Sequence, residues 1–357
     1  MFAAAANRLG YCVHTFSPEN DPAAPGVNDV TASYEDSAAL SKFAKNVSVV
    51  TFASENVPPK TIATLSKLVP VRPSLIALET TQHRAREKTF LSKTGFPVTP
   101  FRIIKSVQEG SRAIQDLPGP WVLKTAGFGS DGLGQRNISS EEDLKKAFKT
   151  NGSPGFILET FVDFECELSV IAARSENGEF AHYGVMQNEH RRRVLDLTVF
   201  PAPVGAPIIR RVVDLTRHIL KELQVVGVMC VEYFLTKRGD IWINELVPRP
   251  HNSGHLTIDA CATSQFDQQL RAVCGLPLGP TDMIHSAAMA NLLGDLWVDG
   301  APQWERVLSL PDVKLHLYGK KEPRKGRKMG HITALAATAA DARRKVLAAR
   351  SLLTSAN

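Results

Sequence analysis

The sequence contains no apolar run near the roughly 18 residues that a membrane-spanning helix requires. Its N-terminus, MFAAAANRLG, has no basic region followed by an apolar stretch and cleavage site, so no secretory signal is read there. Cysteine is scarce. The five residues Cys12, Cys166, Cys230, Cys261 and Cys274 are scattered without a Cys-x-x-Cys pair, which argues against zinc and against a disulfide framework and suits a reducing, cytoplasmic setting. Neither the Walker A pattern nor the dinucleotide fingerprint occurs. The net charge of +6 is concentrated in two clusters, Arg191 to Arg193 and Lys320 to Lys328, with no aromatic-interleaved stripe or DNA-binding motif beside them. Nucleic acid is therefore not the expected partner. Solvated surface or a small phosphorylated ligand accounts better for the clusters.

The 357 residues suffice for two to three domains with a large core. The apolar runs 11–16 and 48–52 read as buried parallel strands. Asp36 or Ser37 caps a helix running to Asn46, Pro58 and Pro59 open another through Leu68, and together these form half of a doubly wound α/β domain. Residues 2–9 look like a helix that should follow a first strand and a glycine-rich turn, so the expectation is a chain that starts short of them. A helix over 81–94 precedes a β-rich stretch. Strands are expected at 121–125, 155–160, 167–174 and 180–187, and helices over 140–149, with Ser139 and Glu142 as a capping box, and over 208–223. Two strands at 225–236 and 240–246, a helix over 257–274, a tail of short strands and a terminal helix complete the reading.

The two strands around Arg238 and Gly239 carry the first chemical argument. A two-residue turn there pairs residues whose numbers sum to 477: Lys237 with Asp240, Phe234 with Ile243, and Glu232 with Glu245. Opposed like charges roughly 5 Å apart repel. With Phe234, Ile241 and Ile243 expected on the same face, the carboxylates need a cation or a shared proton. A hard divalent cation such as magnesium fits, with Asn244 adding a neutral oxygen. Solvated surface carboxylates are the competing reading.

Lys124 ends an apolar strand before the loop AGFGSDGLGQ (126–135), whose glycines either let backbone N–H groups approach phosphates or form a surface hairpin. Glu159 and Glu167 flank another strand junction, where carboxylates either bond ribose hydroxyls or an adenine amine or are solvated. RPHNSGH (249–255) packs polar groups into a loop that aims them at a ligand, makes a tight turn, or both.

These residues, with VTFASENVP, REKTFL, ECELSVI, INELVPRPHNSGH, TSQFDQQLRAVCGLPLG, KLHLYGK and GRKMGH, span almost the whole chain in order. The chain so resembles the 5-(carboxyamino)imidazole ribonucleotide synthetases of the ATP-grasp superfamily. The resemblance implies an α/β (α+β) ATP-grasp fold. An N-terminal parallel α/β pre-ATP-grasp domain covers 1–80, an ATP-grasp domain 81–275 with a lid subdomain at about 101–162, and a small C-terminal β-rich domain with a terminal helix 276–357. It implies an ATP-dependent carbon–nitrogen ligase of purine biosynthesis, joining bicarbonate to aminoimidazole ribonucleotide through carboxyphosphate. The cofactors implied are ATP and magnesium, with manganese as a substitute. Arg84 and Lys124 match nucleotide phosphate contacts. Glu159, Val162, Glu167 and His190 match the remaining nucleotide contacts, with Asn244 and Glu245 beside them. Glu232, Glu245 and Asn244 match the metal ligands. Glu55, Asp131, Arg249 and His251 match substrate-side residues, the last three with catalytic roles, and Lys320 and Arg327 match the holders of the ribonucleotide phosphate. A homodimer and functional coupling to a carboxyaminoimidazole ribonucleotide mutase or carboxylase are the implied partners.

Three departures from the family pattern stand out. The first strand and its glycine turn do not precede the opening helix. Ser130 and Leu133 replace a tyrosine and a cation in the lid, and Ala53 replaces a glutamate. Two other readings compete: a catalytically impaired nucleotide- or ribonucleotide-binding homologue, and a different ATP-grasp carboxylate–amine ligase.

Overall fold

A computed structural model of the chain describes residues 1–19, 27–127, 134–150, 155–298 and 300–353. The first region opens on α1 (Phe2–Arg8). Strands β1 (His14–Ser17) and β2 (Asn28–Thr31) then pair in parallel, and helices α2 (Ser37–Ala44), α3 (Pro59–Leu65) and α4 (Leu75–Thr81) follow. Asp36 caps α2 by accepting from the N–H groups of Ala38 and Ala39, and proline starts α3, as the sequence predicts. The run 48–52 forms only a parallel bridge between Val50 and Val71, not a full strand. A cavity of about 640 Å³ is lined by residues 10–14 and 46–51, with Phe2, Arg72 and Leu270.

The helix expected over 81–94 forms a few residues later than expected, because Thr81 is the last residue of α4. After Gln82 and His83, α5 (Arg84–Lys93) begins. A four-stranded sheet follows from β3 (Phe101–Ile104), β4 (Trp121–Thr125), β5 (Gln135–Ile138) and β6 (Phe156–Thr160), in the order β3-β6-β4-β5. Helices α6 (Val107–Asp116) and α7 (Glu141–Thr150) cover it through Ile104, Leu123, Ile138, Leu144 and Leu158. The N-terminus of α7 is capped by Ser140, which accepts from Asp143, rather than by the expected box of Ser139 and Glu142.

The largest sheet is built from β7 (Phe164–Arg174), β8 (Phe180–His182), β9 (Met186–Arg191), β10 (Val194–Phe200), β11 (Gly227–Thr236) and β12 (Ile241–Val247), with α8 (Ala206–Glu222) on one face. The helix expected over 257–274 is split into α9 (Thr257–Ala260) and α10 (Gln265–Val273), where Ser264 and Asp267 form a capping box. Strand β13 (Ser286–Leu293), α11 (Trp304–Leu308), β14 (Val313–Leu317), β15 (Lys328–Ala336) and α12 (Ala339–Ser351) close the chain. The order β12-β11-β7-β9-β10-β13-β15-β14 carries the sheet past residue 275 without a break, because β10 pairs with β13.

Alternation along β11 decides what the sheet presents. Met229, Val231 and Tyr233 pack with Val212, Ile219 and Leu220 of α8, each such burial contributing about 1.5–3 kcal/mol. Glu232 and Phe234, on the opposite face, line a cleft between the large and the four-stranded sheets.

Candidate active site

The cleft has a volume of about 300 Å³ and is lined by nine of the residues singled out from the sequence: Arg84, Lys124, Glu159, Val162, Glu167, His190, Glu232, Asn244 and Glu245. Glu232 pairs directly with Glu245, as expected, but by a different route. The turn holds three residues, Lys237 to Gly239: Gly239 sits at φ +84° and its N–H donates to Thr236 O. Its geometry sets Phe234 opposite Trp242 and Tyr233 opposite Ile243, one place out of the expected register. A β-bulge at Asn244 then restores the register at Glu232. The bulge also explains how successive residues serve one site, since an extra residue breaks the alternation and re-aims its side chain. Asn244 and Glu245 both line the cleft, and Asn244 Nδ2 donates to Glu232 Oε2 at 3.3 Å. Ile241 and Ile243 face the core on the other side, not the carboxylates.

Two residues that the sequence reading left unassigned complete this edge. Strand β12 is the outer strand of its sheet, so its outward backbone groups need partners. Glu87 Oε2 accepts from Leu246 N–H at 3.0 Å, and Lys88 Nζ donates to Ile243 O at 3.1 Å. Both are buried in spite of their charge. Their signal in the sequence was no more than two adjacent charges in REKTFL, indistinguishable from a solvated helix face.

Two electrostatic environments result. Lys124 Nζ donates to Glu159 Oε2 at 3.0 Å, Thr99 Oγ1 donates to the same oxygen at 3.2 Å, and Lys88 Nζ lies 3.7 Å away. Burial pushes the Glu159 carboxyl up, but the two ammonium groups and these hydrogen bonds outweigh it and hold the carboxyl at about 2. Its Oε1 is buried with no partner, one acceptor still available to a ligand. The other environment is the reverse. Burial, then repulsion from Glu245, pushes Glu232 up to about 7 and Glu87 up to about 8, and burial raises Glu245 as well. Oxygen donors that cannot all ionise unaided are the chemistry of a hard cation site. The residues present therefore fit magnesium: Glu232, Glu245 and the Asn244 amide oxygen would hold it.

Glu167 bonds His190 Nδ1 at the cleft mouth. Although burial disfavours imidazolium, this hydrogen bond and the carboxylate charge raise the His190 pKa. Beyond Glu232 lie Glu55, Arg249 and His251, which the resemblance matches to the substrate side. Arg249 holds Glu55 in a forked ion pair, with Nη2 to Oε1 at 3.0 Å, and His251 Nε2 lies 3.7 Å from Glu232 Oε1. Buried Gln265 fixes their loop, accepting from His251 N–H at 2.9 Å and donating to His251 O at 2.7 Å. Gly254 is required there, because a Cβ would lie 2.6 Å from Gln265 Oε1. Lys320 and Arg327 sit on the segment between β14 and β15, outside the cleft lining, where Lys320 Nζ donates to Lys328 O and Arg327 to Glu322 O, each at 2.9 Å. Lys328, another residue left unassigned, links that segment to the cleft: burial, then the charge of Arg249, lowers its pKa, while Glu232 and Glu55 act against them. Asp131, Ser130 and Leu133, and with them the centre of the expected lid loop, lie outside the described residues.

Comparison with known proteins matches this geometry to one family. Residues 1–82 match the ribonucleotide synthetase preATP-grasp domain, 89–266 the ATP-grasp domain, and 287–345 the phosphoribosylaminoimidazole carboxylase C-terminal domain. The N5-carboxyaminoimidazole ribonucleotide synthase of Bacillus subtilis is 41% identical over 337 residues, covering 93% of this chain and 87% of that protein. The crystal structure of the corresponding synthetase from Thermus thermophilus superposes with a TM-score of 0.92 at 35% identity, covering 100% of this chain and 96% of its own. That of the Aspergillus clavatus enzyme, in complex with ADP and 5-aminoimidazole ribonucleotide, has a TM-score of 0.89 at 29% identity, with coverage of 99% and 95%. The chain belongs to the N5-carboxyaminoimidazole ribonucleotide synthase family of ATP-grasp ligases.

Proposed function

We propose that this cleft carboxylates 5-aminoimidazole ribonucleotide with bicarbonate at the expense of ATP, yielding N5-carboxyaminoimidazole ribonucleotide, ADP and phosphate. The observation that carries the reading is the meeting of two half-sites at Glu232: a nucleotide half ending in Lys124 and Arg84, and a substrate half beginning at His251, Arg249 and Glu55.

Arg84 and Lys124 neutralise the nucleotide phosphates, while Val162 and Glu167 contact adenine and ribose. When bound, magnesium screens the β- and γ-phosphate charge. Glu232, Glu245 and Asn244 would hold it. A bicarbonate oxygen attacks the γ-phosphorus, ADP leaves, and carboxyphosphate forms. The exocyclic amine of the ribonucleotide then bonds to the carboxyl carbon, phosphate leaves, and the amine loses one proton. Most of this is positioning and charge neutralisation, which the cleft's fixed cations supply. Arg249, held by Glu55, orients bicarbonate, and His251 reaches the same place; Asp131 shares this side. Lys320 and Arg327 hold the ribonucleotide phosphate, which gives the C-terminal basic cluster a small-molecule role. A mutase or carboxylase that consumes the labile carbamate is the expected functional partner.

A coupled ADP-release assay tests the reading. ADP should appear only with both bicarbonate and the ribonucleotide present. ATP binding with no dependence on the ribonucleotide would leave a nucleotide-binding homologue instead.

A further inference from the structure

One group close to Glu232 has no part in this chemistry. Cys230 is two residues before Glu232 on β11, on the same face, and fully buried. Its Sγ, a Glu232 carboxylate oxygen and a His251 ring nitrogen lie within 4.8 Å of one another. Around a tetrahedral centre with metal–sulfur and metal–nitrogen bonds of ordinary length, ligand atoms stand roughly 3.3–3.8 Å apart. Each of the three therefore needs to move by no more than about 1 Å, which rotamer adjustment supplies.

A second shell is already in place. Ser253 Oγ lies 2.9 Å from His251 Nδ1, Ser169 Oγ donates to Ser253 Oγ at 3.0 Å, and both serines are fully buried. Ser253 N–H also donates to His251 Nδ1 at 3.4 Å, so a cation on Nε2 requires the imidazole proton to move to Nδ1, where Ser253 Oγ accepts it. Such an outer hydrogen bond fixes tautomer and ring orientation in metal-binding histidines. Ser253 also bonds the Cys230 thiol. The donor set of thiolate, imidazole and carboxylate differs in kind from the all-oxygen set of Glu232, Glu245 and Asn244, and it selects zinc-class cations over magnesium. A search for paired cysteines misses it, because its ligands come from a strand and a loop well separated in sequence.

We propose that Cys230, Glu232 and His251 form a binding site for a thiophilic divalent cation of the zinc class, which shares Glu232 with the magnesium–ATP site and so competes with it. Binding releases the thiol proton to solvent and draws Glu232 away from Glu245. Zinc would thereby act as an inhibitor through the carboxylate that both cations need.

Cobalt(II), a spectroscopic stand-in for zinc, tests this without any turnover, so the result is independent of the ATP reading. Titrating the full chain should produce a thiolate-to-cobalt charge-transfer band that saturates at one equivalent and disappears when zinc is added. The band should be lost in Cys230→Ser, and in Cys230→Ala should the serine variant fold poorly, but kept in Cys12→Ser and Cys166→Ser. Zinc affinity should fall by about tenfold or more in Cys230→Ser, and with it zinc inhibition of ADP release. Absence of the band in the unmodified chain, or its persistence in both Cys230 variants, would overturn the site. Equal zinc sensitivity of ADP release with and without Cys230 would overturn the competition.

Discussion

Two buried charge clusters share one cleft and are built on opposite principles. Around Glu159 two ammonium groups and a hydroxyl converge on one carboxylate, and the group is held ionised at about 2. Around Glu232, three carboxyls of Glu87, Glu232 and Glu245 crowd together and are pushed up, two of them to about 7 and about 8. In the first cluster every charge has an opposite partner within 4 Å, with one ammonium group in excess, and the carboxylate is held ionised without a ligand. The second is incomplete and is satisfied only by protons or by a cation. A buried ion cluster can thus be scaffold or receptor, and the balance of charge tells which.

The comparison is broken most severely by unbalancing the first cluster. Glu159→Gln leaves Lys88 and Lys124 buried against each other and should cost about 3–5 kcal/mol of stability. Denaturant unfolding would measure the loss, and adding Lys88→Met should recover much of it. A midpoint unchanged in the single variant would make Glu159 a ligand contact with no scaffold role. Next in size, Glu245→Gln should lower magnesium-dependent ADP release by about 10²–10³-fold with little change in unfolding. Normal turnover would remove the hairpin from the cation site. Asn244→Ala, which takes away the neutral oxygen, should raise the magnesium requirement by roughly tenfold. An unaltered magnesium titration would leave the bulge without a ligand role.

A further effect is on pH. Unfolded, the Glu87 and Glu232 carboxyls ionise near 4.5; folded, they ionise at about 8 and about 7. The folded state then holds protons that the unfolded state has lost. Their contribution is fully present below about pH 4.5 and is lost as pH rises through 7 and 8. Cation-free protein should therefore melt at progressively lower temperature between these limits, and magnesium should restore more of the loss at the upper end. Glu87→Gln should flatten the profile; an equally steep one would show that other groups set it.

How much of this was legible in the sequence depended on the range of the contacts involved. The pairing of Glu232 with Glu245 was readable because hairpin partners are local, although a longer turn and a bulge entered with opposite effects on register. The eight residues matched to nucleotide contacts were readable through motifs, and all of them line the cleft. Glu87, Lys88 and Gln265 were not, since their partners are backbone groups of distant elements. Nothing in a helix's own periodicity reports that a strand edge lies against it. The gap between α4 and α5 at Gln82 and His83 was hidden for the same reason: Gln82 donates to the carbonyls of Glu55 and Val57, contacts that only the fold creates.

The bulge at Asn244 gives β12 something like a reading frame. Side chains on a strand follow a two-state code, inward or outward, and a single inserted or lost residue inverts everything beyond it. Between the turn and Glu245 the code has been inverted once, so Glu245 faces Glu232 only because of that one extra residue. Single-residue insertions or deletions in 241–244 should therefore be far more damaging than two-residue ones, and lengthening the turn less damaging than either.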